Sequence, residues 1–158
     1  MDIEKKIELL EKEIAELKEE LAKQNTEKFL ANLKPQKNER YWFITLEGVV
    51  VWEFWNNNSI DENAYAIGNC FKTKEDAEFE AERLKVIAEL KRFAKERFEA
   101  ENFNYYIYYD TVNDEVWCNT VVQDITANIH FESEEIAEQA IKTVGADRIK
   151  KYYFRIEE

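Results

Sequence analysis

The sequence is poor in the residue types from which phosphate loops, zinc sites and nucleophilic active sites are built. Its three glycines are too widely spaced to form a glycine-rich phosphate loop. One histidine, His130, and two cysteines, Cys70 and Cys118, exclude zinc sites made of several histidines or of clustered cysteines. The two cysteines also give no disulfide framework. These shortages favour a binding protein over an enzyme, and we expect neither a cofactor nor a bound metal.

The charge of the chain is strongly acidic. Lysine and arginine number 22 and aspartate and glutamate 34, so the net charge is −12. This sign disfavours direct binding to nucleic acid and to anionic membranes, because both interactions depend on lysine and arginine. It permits a basic protein partner, or a small ligand held in a local basic pocket. The chain shows neither a secretion signal nor an apolar run that could span a bilayer, which predicts a cytoplasmic location.

Residues 1–24 carry a heptad repeat and are predicted to form an oligomerisation helix. Isoleucine and leucine fill the a and d positions, a pattern that favours a parallel two-stranded coiled coil. Residues of opposite charge at g and e would pair across such a dimer, for example Lys6 with Glu11. The alternative is a single amphipathic helix on its own domain, which should show a wider apolar stripe. The predicted oligomerisation residues are Ile3, Ile7, Leu10, Ile14, Leu17 and Leu21.

Residues 25–40 are the predicted linker between this helix and the rest of the chain. The helix can continue through Phe29 and Leu33. It should end before Pro35, since the residue before a proline avoids helical geometry. Lys34, Lys37 and Arg40 make the end of the segment a small basic island in an acidic chain.

Residues 41–158 contain a pattern that occurs twice. In each copy two aromatic strands are joined by a turn, a third short run (residues 66–71 and 127–131) ends in phenylalanine, and a helix follows. The order predicts two tandem β-β-β-α units, residues 41–100 and 101–158, with antiparallel sheets. Chance similarity of two ordinary units is the alternative. The predicted fold is therefore α+β, preceded by the coiled-coil helix.

The starts of the two helices are marked by capping residues. The hydroxyls of Thr73 and Ser133 can cap them, and the acidic residues that follow suit the positive end of a helix dipole. The first helix should run from about Lys74 to about Phe98, and the second should end near Val144.

Aromatic residues on both faces of the predicted strands are candidates for a binding surface. One face packs on the helices, so the other must be covered by a subunit or used for binding. Tryptophan and tyrosine combine a flat apolar ring with a polar group, which suits stacking on a nucleotide base. The interior of a small oligomer is the alternative role. The predicted binding residues are Arg40, Trp52, Trp55, Tyr106, Tyr108 and Trp117.

Catalytic alternatives are weaker. Acidic residues are frequent, but their helical spacing is typical of solvated faces rather than of paired carboxylates in a cleft. His130 with Cys118 or Cys70 would make a base and a nucleophile. Cys70 and His130, however, fall at matching strand positions of the two copies, where a structural role is expected. We assign no catalytic residue.

Several segments of residues 40–158 resemble small proteins encoded by phages and prophages of Firmicutes. The segments are residues 41–44 (YWFI), 66–73 (AIGNCFKT), 82–86 (ERLKV) and 149–154 (IKKYYF). The resemblance implies an accessory phage gene product and carries no established activity. Small acidic phage proteins often inhibit host defence by binding, so the resemblance makes such a role an expectation here.

The functional prediction is a non-enzymatic homo-oligomer in the host cytoplasm that counteracts antiviral defence by sequestering a nucleotide-like signalling molecule. The alternative is an acidic mimic of DNA that blocks a basic defence protein such as a CRISPR nuclease or a restriction enzyme. A hydrolase acting on the signalling molecule is disfavoured by the shortage of metal ligands. The first two hypotheses differ in the salt dependence that they predict.

Overall fold

The computed structural model describes residues 3–122 and 129–157 of the chain. Helices and short strands alternate along these residues, so the predicted α+β class is confirmed. The elements in chain order are α1 (Ile3–Leu33), β1 (Arg40–Ile44), β2 (Val50–Phe54), α2 (Ser59–Ala66), α3 (Lys74–Lys91), β3 (Asn104–Asp110), β4 (Glu115–Val121), α4 (Glu134–Val144), α5 (Ala146–Arg148) and a π-helix (Ile149–Tyr153). β1 pairs with β2 and β3 pairs with β4, which gives two separate two-stranded sheets.

The chain forms two compact units, and each is described by itself. Unit 1 contains the residues up to Phe43 together with Trp52–Lys72, and unit 2 contains Ile44–Val51 together with the residues from Thr73 onward. The division of residues 41–158 into two related β-β-β-α units stays a prediction.

Helix α1 extends beyond the segment predicted for the coiled coil. It continues to Leu33, so more than half of the predicted linker 25–40 is helical, and it ends before Pro35 as expected. Its apolar seam is exposed, with 49–75% of each residue accessible to solvent. The pairing of this seam in a coiled coil stays a prediction. The seam residues are Ile3, Ile7, Leu10, Ile14, Leu17 and Leu21.

Two aromatic residues form the centre of unit 1. Tyr41 of β1 and Trp55, which follows β2, are buried, and their rings meet edge to face with centres 5.6 Å apart. Lys34, one residue after α1, places its ammonium 5.3 Å from the centre of the Trp55 ring and 2.7 Å from the carboxylate of Glu62. Pro35 is buried beside it in sequence. The end of α1 is thus fixed to the body of unit 1.

The core of unit 2 lies between its helices and one face of the β3–β4 hairpin. Helix α4 packs on both strands, and α3 packs on α4 and on the π-helix. Small residues on α4 allow the close approach of these elements, because alanine occupies two of its buried positions. The buried residues at the centre include Val86, Leu90, Ile107, Phe131, Ala140 and Ile149.

The third strand predicted for each β-β-β-α unit is present only as a single β-bridge. The backbones of Trp42 and Phe71 exchange two hydrogen bonds, and those of Tyr105 and Phe131 do the same. The predicted run at residues 66–71 starts instead at the end of α2, so that assignment is corrected. Residues 127–128, in the second predicted run, lie outside the described residues.

Helix α3 begins where predicted but ends earlier. The hydroxyl of Thr73 accepts a hydrogen bond from the Asp76 amide, and Ser133 caps α4 in the same way. After Lys91 the backbone hydrogen bonds connect residues three positions apart, as in a 3₁₀-helix. The Lys95 amide then donates to the carbonyl of His130. This bond diverts the chain from the helical path that the sequence predicted to Phe98.

Candidate functional site

Two of the predicted binding residues, Arg40 and Trp52, are in direct contact in unit 1. The guanidinium carbon of Arg40 on β1 is 4.4 Å from the centre of the Trp52 ring on β2 and 6.0 Å from that of Phe54. The two rings meet edge to face at 5.4 Å, and Trp52 and Phe54 are 46% and 43% exposed. We call Arg40, Trp52 and Phe54 the arginine–tryptophan patch.

The patch combines an exposed ring with an available cation. Among the described residues no carboxylate is paired with Arg40, and a guanidinium stacked on a ring keeps its edge free to donate hydrogen bonds. Phe54 was not among the predicted binding residues, although its spacing of two from Trp52 places both on one face of a strand. The patch can therefore offer a flat surface to a planar group and hydrogen-bond donors to an anion.

Trp55, another predicted binding residue, is part of the core. Its exposed fraction is 0%, and its indole N–H donates to the side-chain oxygen of Asn57 at 2.6 Å. Its ring already contacts Lys34 and Tyr41. A ring without an accessible face cannot stack on a ligand, so the prediction that Trp55 binds one is corrected.

A buried carboxylate organises the segment after β2. Asp61, which is 1% exposed, accepts hydrogen bonds from the Tyr41 hydroxyl at 2.9 Å and from the amides of Asn56 and Asn58 at 2.7 and 3.3 Å. Burial acts to raise the pKa of Asp61, but these hydrogen bonds outweigh burial and hold the pKa below its ordinary value. Burial and the bond to Asp61 raise the pKa of Tyr41. The pair is structural, since every donor around the carboxylate belongs to the fold.

We expect Asp61→Asn to destabilise the protein by about 1–3 kcal/mol, because the amide group of asparagine would face donors that need an acceptor. Because folding lowers the pKa of Asp61, its carboxylate contributes its full stabilisation at pH values above 3.8, the ordinary pKa. This contribution is lost as the pH falls through the pKa of Asp61 in the folded protein. Urea unfolding between pH 2 and pH 7 measures both effects. Tyr41→Phe removes one donor only and should cost less. Equal acid sensitivity of Asp61→Asn and the parent would contradict this role.

Tyr106, Tyr108 and Trp117 share one face of the β3–β4 hairpin in unit 2. Tyr108 is directly opposite Trp117 in the antiparallel register, and the ring centres of Tyr106 and Tyr108 are 6.4 Å apart. Tyr105 and Ile107, which alternate with them along β3, pack into the core. The sequence predicted two aromatic faces but not which of them packs on the helices. Trp117 is 48% exposed. We call Tyr106, Tyr108 and Trp117 the tyrosine–tryptophan face.

Trp117 also borders a cleft of about 280 Å³ in unit 2. Its lining includes three acidic residues, Asp114, Glu115 and Asp147, and one lysine, Lys150. The Trp117 indole N–H donates to Glu115 at 2.9 Å, and Lys150 forms an ion pair with Asp114. The bonds from Lys150 and from a neighbouring tyrosine lower the pKa of Asp114, so its carboxyl is ionised. We call this cleft the acidic cleft.

The three residues considered for nucleophilic catalysis show no activation. Burial raises the pKa of the Cys70 thiol to about 11, and burial with two nearby glutamates raises that of Cys118. Burial also lowers the pKa of His130, whose Nε2 has no hydrogen-bond partner among the described residues. Because a nucleophilic cysteine needs a lowered pKa, this chemistry supports structural roles.

One group of described residues brings potential metal ligands together. The Cys118 thiol and the carboxylates of Glu134 and Glu138 lie within 4.8 Å of one another. The glutamates are exposed and four residues apart on α4, a spacing that is common on solvated helix faces. We assign no metal to this group.

Comparison with family models, with curated proteins and with solved structures gives no match to this chain. Among the described helices, none combines the length and the apolar character needed to cross a membrane. The chemistry of the surfaces described above is therefore the basis for a functional proposal.

Proposed function

We propose that the protein is a non-catalytic homo-oligomer that sequesters a nucleotide-like molecule at the arginine–tryptophan patch. The observation that carries this proposal is the contact between Arg40, which has no carboxylate partner among the described residues, and an exposed ring. The guanidinium carbon is 4.4 Å from the centre of the Trp52 ring. A nucleotide presents a flat base and an anionic phosphate. The patch offers a ring to the base and donors to the phosphate.

The interactions that the patch can form act at short range and therefore favour a specific ligand. Stacking of a base on an aromatic side chain contributes about 1–3 kcal/mol. The N–H groups of a guanidinium can donate two parallel hydrogen bonds to a phosphate, which fixes the orientation of the ligand. Because the whole chain carries −12, an anionic ligand must gain enough from these contacts to offset the general repulsion.

Self-association through α1 is the second part of the proposal. All six seam residues are at least 49% exposed, and they recur in the alternating spacing of a heptad. Pairing of two parallel helices would bury this seam and bring Lys6 to Glu11 of the partner helix. Three heptads are short for a stable coiled coil, so we expect the bodies of the two copies to add to the interface.

We further propose that the two hairpins are copies of one β-β-β-α unit. The exchanges Trp42–Phe71 and Tyr105–Phe131 place the same kind of bridge beside the first strand of each hairpin. A capped helix starts three residues after each phenylalanine. In such a pair the exposed tryptophans of β2 and β4 are equivalent, and the tyrosine–tryptophan face becomes a second surface for a ring-shaped ligand.

The biological role that we propose is the neutralisation of a host antiviral signal, as the phage resemblance implies. An acidic inhibitor that imitates DNA and occupies a basic defence protein is the second candidate. The net charge of −12 favours it, because the repulsion that opposes an anionic ligand attracts a basic protein.

Replacement of Trp52 by alanine is expected to weaken binding of cyclic di-adenosine monophosphate by about tenfold or more, through the loss of stacking. Arg40→Gln should weaken it as well, and it should have a smaller effect on adenosine, which has no phosphate. Isothermal titration calorimetry with both probes and with ATP measures these differences. Intact-complex mass spectrometry of protein purified from cells tests for a retained ligand.

Arg97→Gln is the matched control, since it removes an exposed arginine elsewhere in the chain. It should leave nucleotide affinity unchanged. If no nucleotide binds, or if the Trp52→Ala variant binds all of them like the parent, the proposal fails. Tight binding to a basic defence effector that falls steeply between low and high salt would instead support the acidic inhibitor.

A further inference from the structure

The outer side of β4 is an open strand edge in the described part of the chain. The backbones of Tyr105 and Phe131 exchange two hydrogen bonds, so the amide and carbonyl of Tyr105 point away from β4. Tyr105 is opposite Thr120 in the antiparallel register. Because facing residues of an antiparallel pair alternate between hydrogen-bonded and non-hydrogen-bonded positions, the backbone groups of Thr120, Cys118 and Val116 point away from β3. We call the outward backbone groups of these three residues the β4 edge.

Two residues of the β4 edge have outward backbone groups without a partner. The Thr120 amide donates to the side-chain oxygen of Asn119 at 2.8 Å. Within residues 3–122 and 129–157, no other residue forms a hydrogen bond with the outward groups of Val116 or Cys118. A strand edge with unpaired amides and carbonyls is a template for pairing with a further strand.

The sequence of β4 carries none of the usual protections of an edge strand. Natural edge strands are often blocked by lysine, by proline or by a bulge. Glu115–Val121 contains neither lysine nor proline, and its register against β3 runs without a bulge. None of its seven residues is fully buried. The β4 edge is therefore accessible to the backbone of a partner.

Two carboxylates lie beside the middle of the β4 edge. The Cys118 thiol and the carboxylates of Glu134 and Glu138 are within 4.8 Å of one another, and among the described residues neither glutamate forms an ion pair. A residue paired with Cys118 from a third strand would have its side chain on the same face, with Cβ atoms about 4.5–5.5 Å apart. A lysine or arginine at that position could reach both carboxylates. A second copy of β4 paired there would instead bring four glutamates together, so the charge favours a basic partner.

The residues on either side of that cation would meet the opposite face of the hairpin. Trp117 and Asn119 flank Cys118 in β4 and point to the tyrosine–tryptophan face. The Trp117 ring is 48% exposed. An aromatic or β-branched side chain of a third strand would pack against this ring as a cross-strand neighbour.

We propose that the β4 edge binds an extended segment of a basic partner protein as a third strand of the β3–β4 sheet. The segment would carry lysine or arginine opposite Cys118 and apolar residues on either side of it. Backbone hydrogen bonds would supply the affinity, and the alternating side chains would supply the specificity. The β4 edge shares no residue with the arginine–tryptophan patch, so this inference does not depend on nucleotide binding.

Titration of the full-length, ¹⁵N-labelled protein with the peptide acetyl-Thr-Ile-Lys-Ile-Thr-amide tests the proposal. We expect saturable shifts of the backbone amide signals of Val116 and Cys118. N-methylation of the central lysine removes the peptide amide that faces β4 but keeps the charge, so it should weaken binding about fivefold. N-methylation of the second isoleucine, whose amide faces away from β4, is the matched control and should leave the affinity unchanged. The same peptide with glutamate in place of lysine should give no saturable shift.

Variants of the protein test the same contacts from the other side. Thr120→Pro removes an amide of the β4 edge but leaves the bonds to β3 in place, because this amide points outward. It should weaken peptide binding about fivefold, whereas Thr120→Ala keeps the amide and should not. Glu138→Gln should weaken binding about threefold, the size of one exposed ion pair. Glu132→Gln is its matched control, because it removes an exposed carboxylate outside the group around Cys118.

Equal affinity for the two N-methylated peptides would overturn the proposal, as would binding that leaves the Val116 and Cys118 amide signals unmoved. This comparison uses the parent protein, so it decides the matter even where Thr120→Pro does not fold. Equal affinity for the glutamate peptide would overturn the assignment to a basic partner. Amide signals of Val116 and Cys118 that move on dilution without peptide would assign the β4 edge to a second copy instead.

Discussion

A variant in which Ile7 and Ile14 are both replaced by lysine is expected to be a monomer at concentrations where the parent protein is an oligomer. In the proposed parallel coiled coil both residues occupy a positions, where a charge would be buried against the same charge of the partner helix. The loss should be large, since the seam has only six apolar positions to bury. Sedimentation velocity over a range of concentrations measures the change.

Ala15→Lys combined with Ala22→Lys is the matched control. These two alanines follow a positions by one residue, so the same added charge lies outside the seam. The control should associate like the parent. A parent protein that is monomeric at tens of micromolar, or a seam variant that sediments like the parent, would contradict the coiled coil.

The second large effect concerns stability. Trp55→Ala should lower the free energy of unfolding by about 3–5 kcal/mol, because it removes the largest side chain of the unit 1 core and leaves a cavity. It also deprives Lys34 of the ring beneath its ammonium group. Chemical denaturation followed by circular dichroism gives the difference between the variant and the parent.

Trp52→Ala provides the comparison, because Trp52 is nearly half exposed. We expect its effect on stability to stay under about 1 kcal/mol, in the range of ordinary surface substitutions. We thus expect Trp55→Ala to lower the stability of the protein and Trp52→Ala to weaken ligand binding. Similar stability of both variants would remove the distinction on which the proposed site rests.

The elements with long, regular patterns were predictable from the sequence. The heptads and Pro35 predicted α1 and its end, and the alternation along residues 104–110 predicted that the side chains of β3 divide between two faces. Thr73 and Ser133 were recognised as caps because their hydroxyls precede acidic first turns. These signals are local, so no knowledge of the tertiary structure was needed.

Helix α2 was missed although its start carries a local signal. Asn58 caps the helix and Asp61 at the third position bonds back to it, a capping box within a run of asparagines. The helix spans only eight residues, too few for a convincing apolar period. The run that ends at Phe71 was therefore assigned to a strand.

The candidate site was predictable in part. Arg40 and Trp52 were chosen from residue type and position, and the hairpin brings them together. The burial of Trp55 could not be predicted in the same way, because it depends on long-range contacts with Tyr41 and with Lys34. The acidic cleft is lined by residues of the β3–β4 hairpin and by residues 146–150, which are far apart in the sequence. No local sequence pattern predicts that two such segments lie side by side.

The attachment of α1 to unit 1 determines how two ligand sites would be presented. Between Leu33 and β1 the chain is held at Lys34 and at buried Pro35, and the Asn38 amide donates to the carbonyl of Trp55 at 2.8 Å. In the proposed parallel pair, both copies of unit 1 would emerge from the same end of the coiled coil on stiff, short connections. A ligand with two bases would then meet its second patch at a high effective concentration, and avidity would tighten its capture without any additional contact.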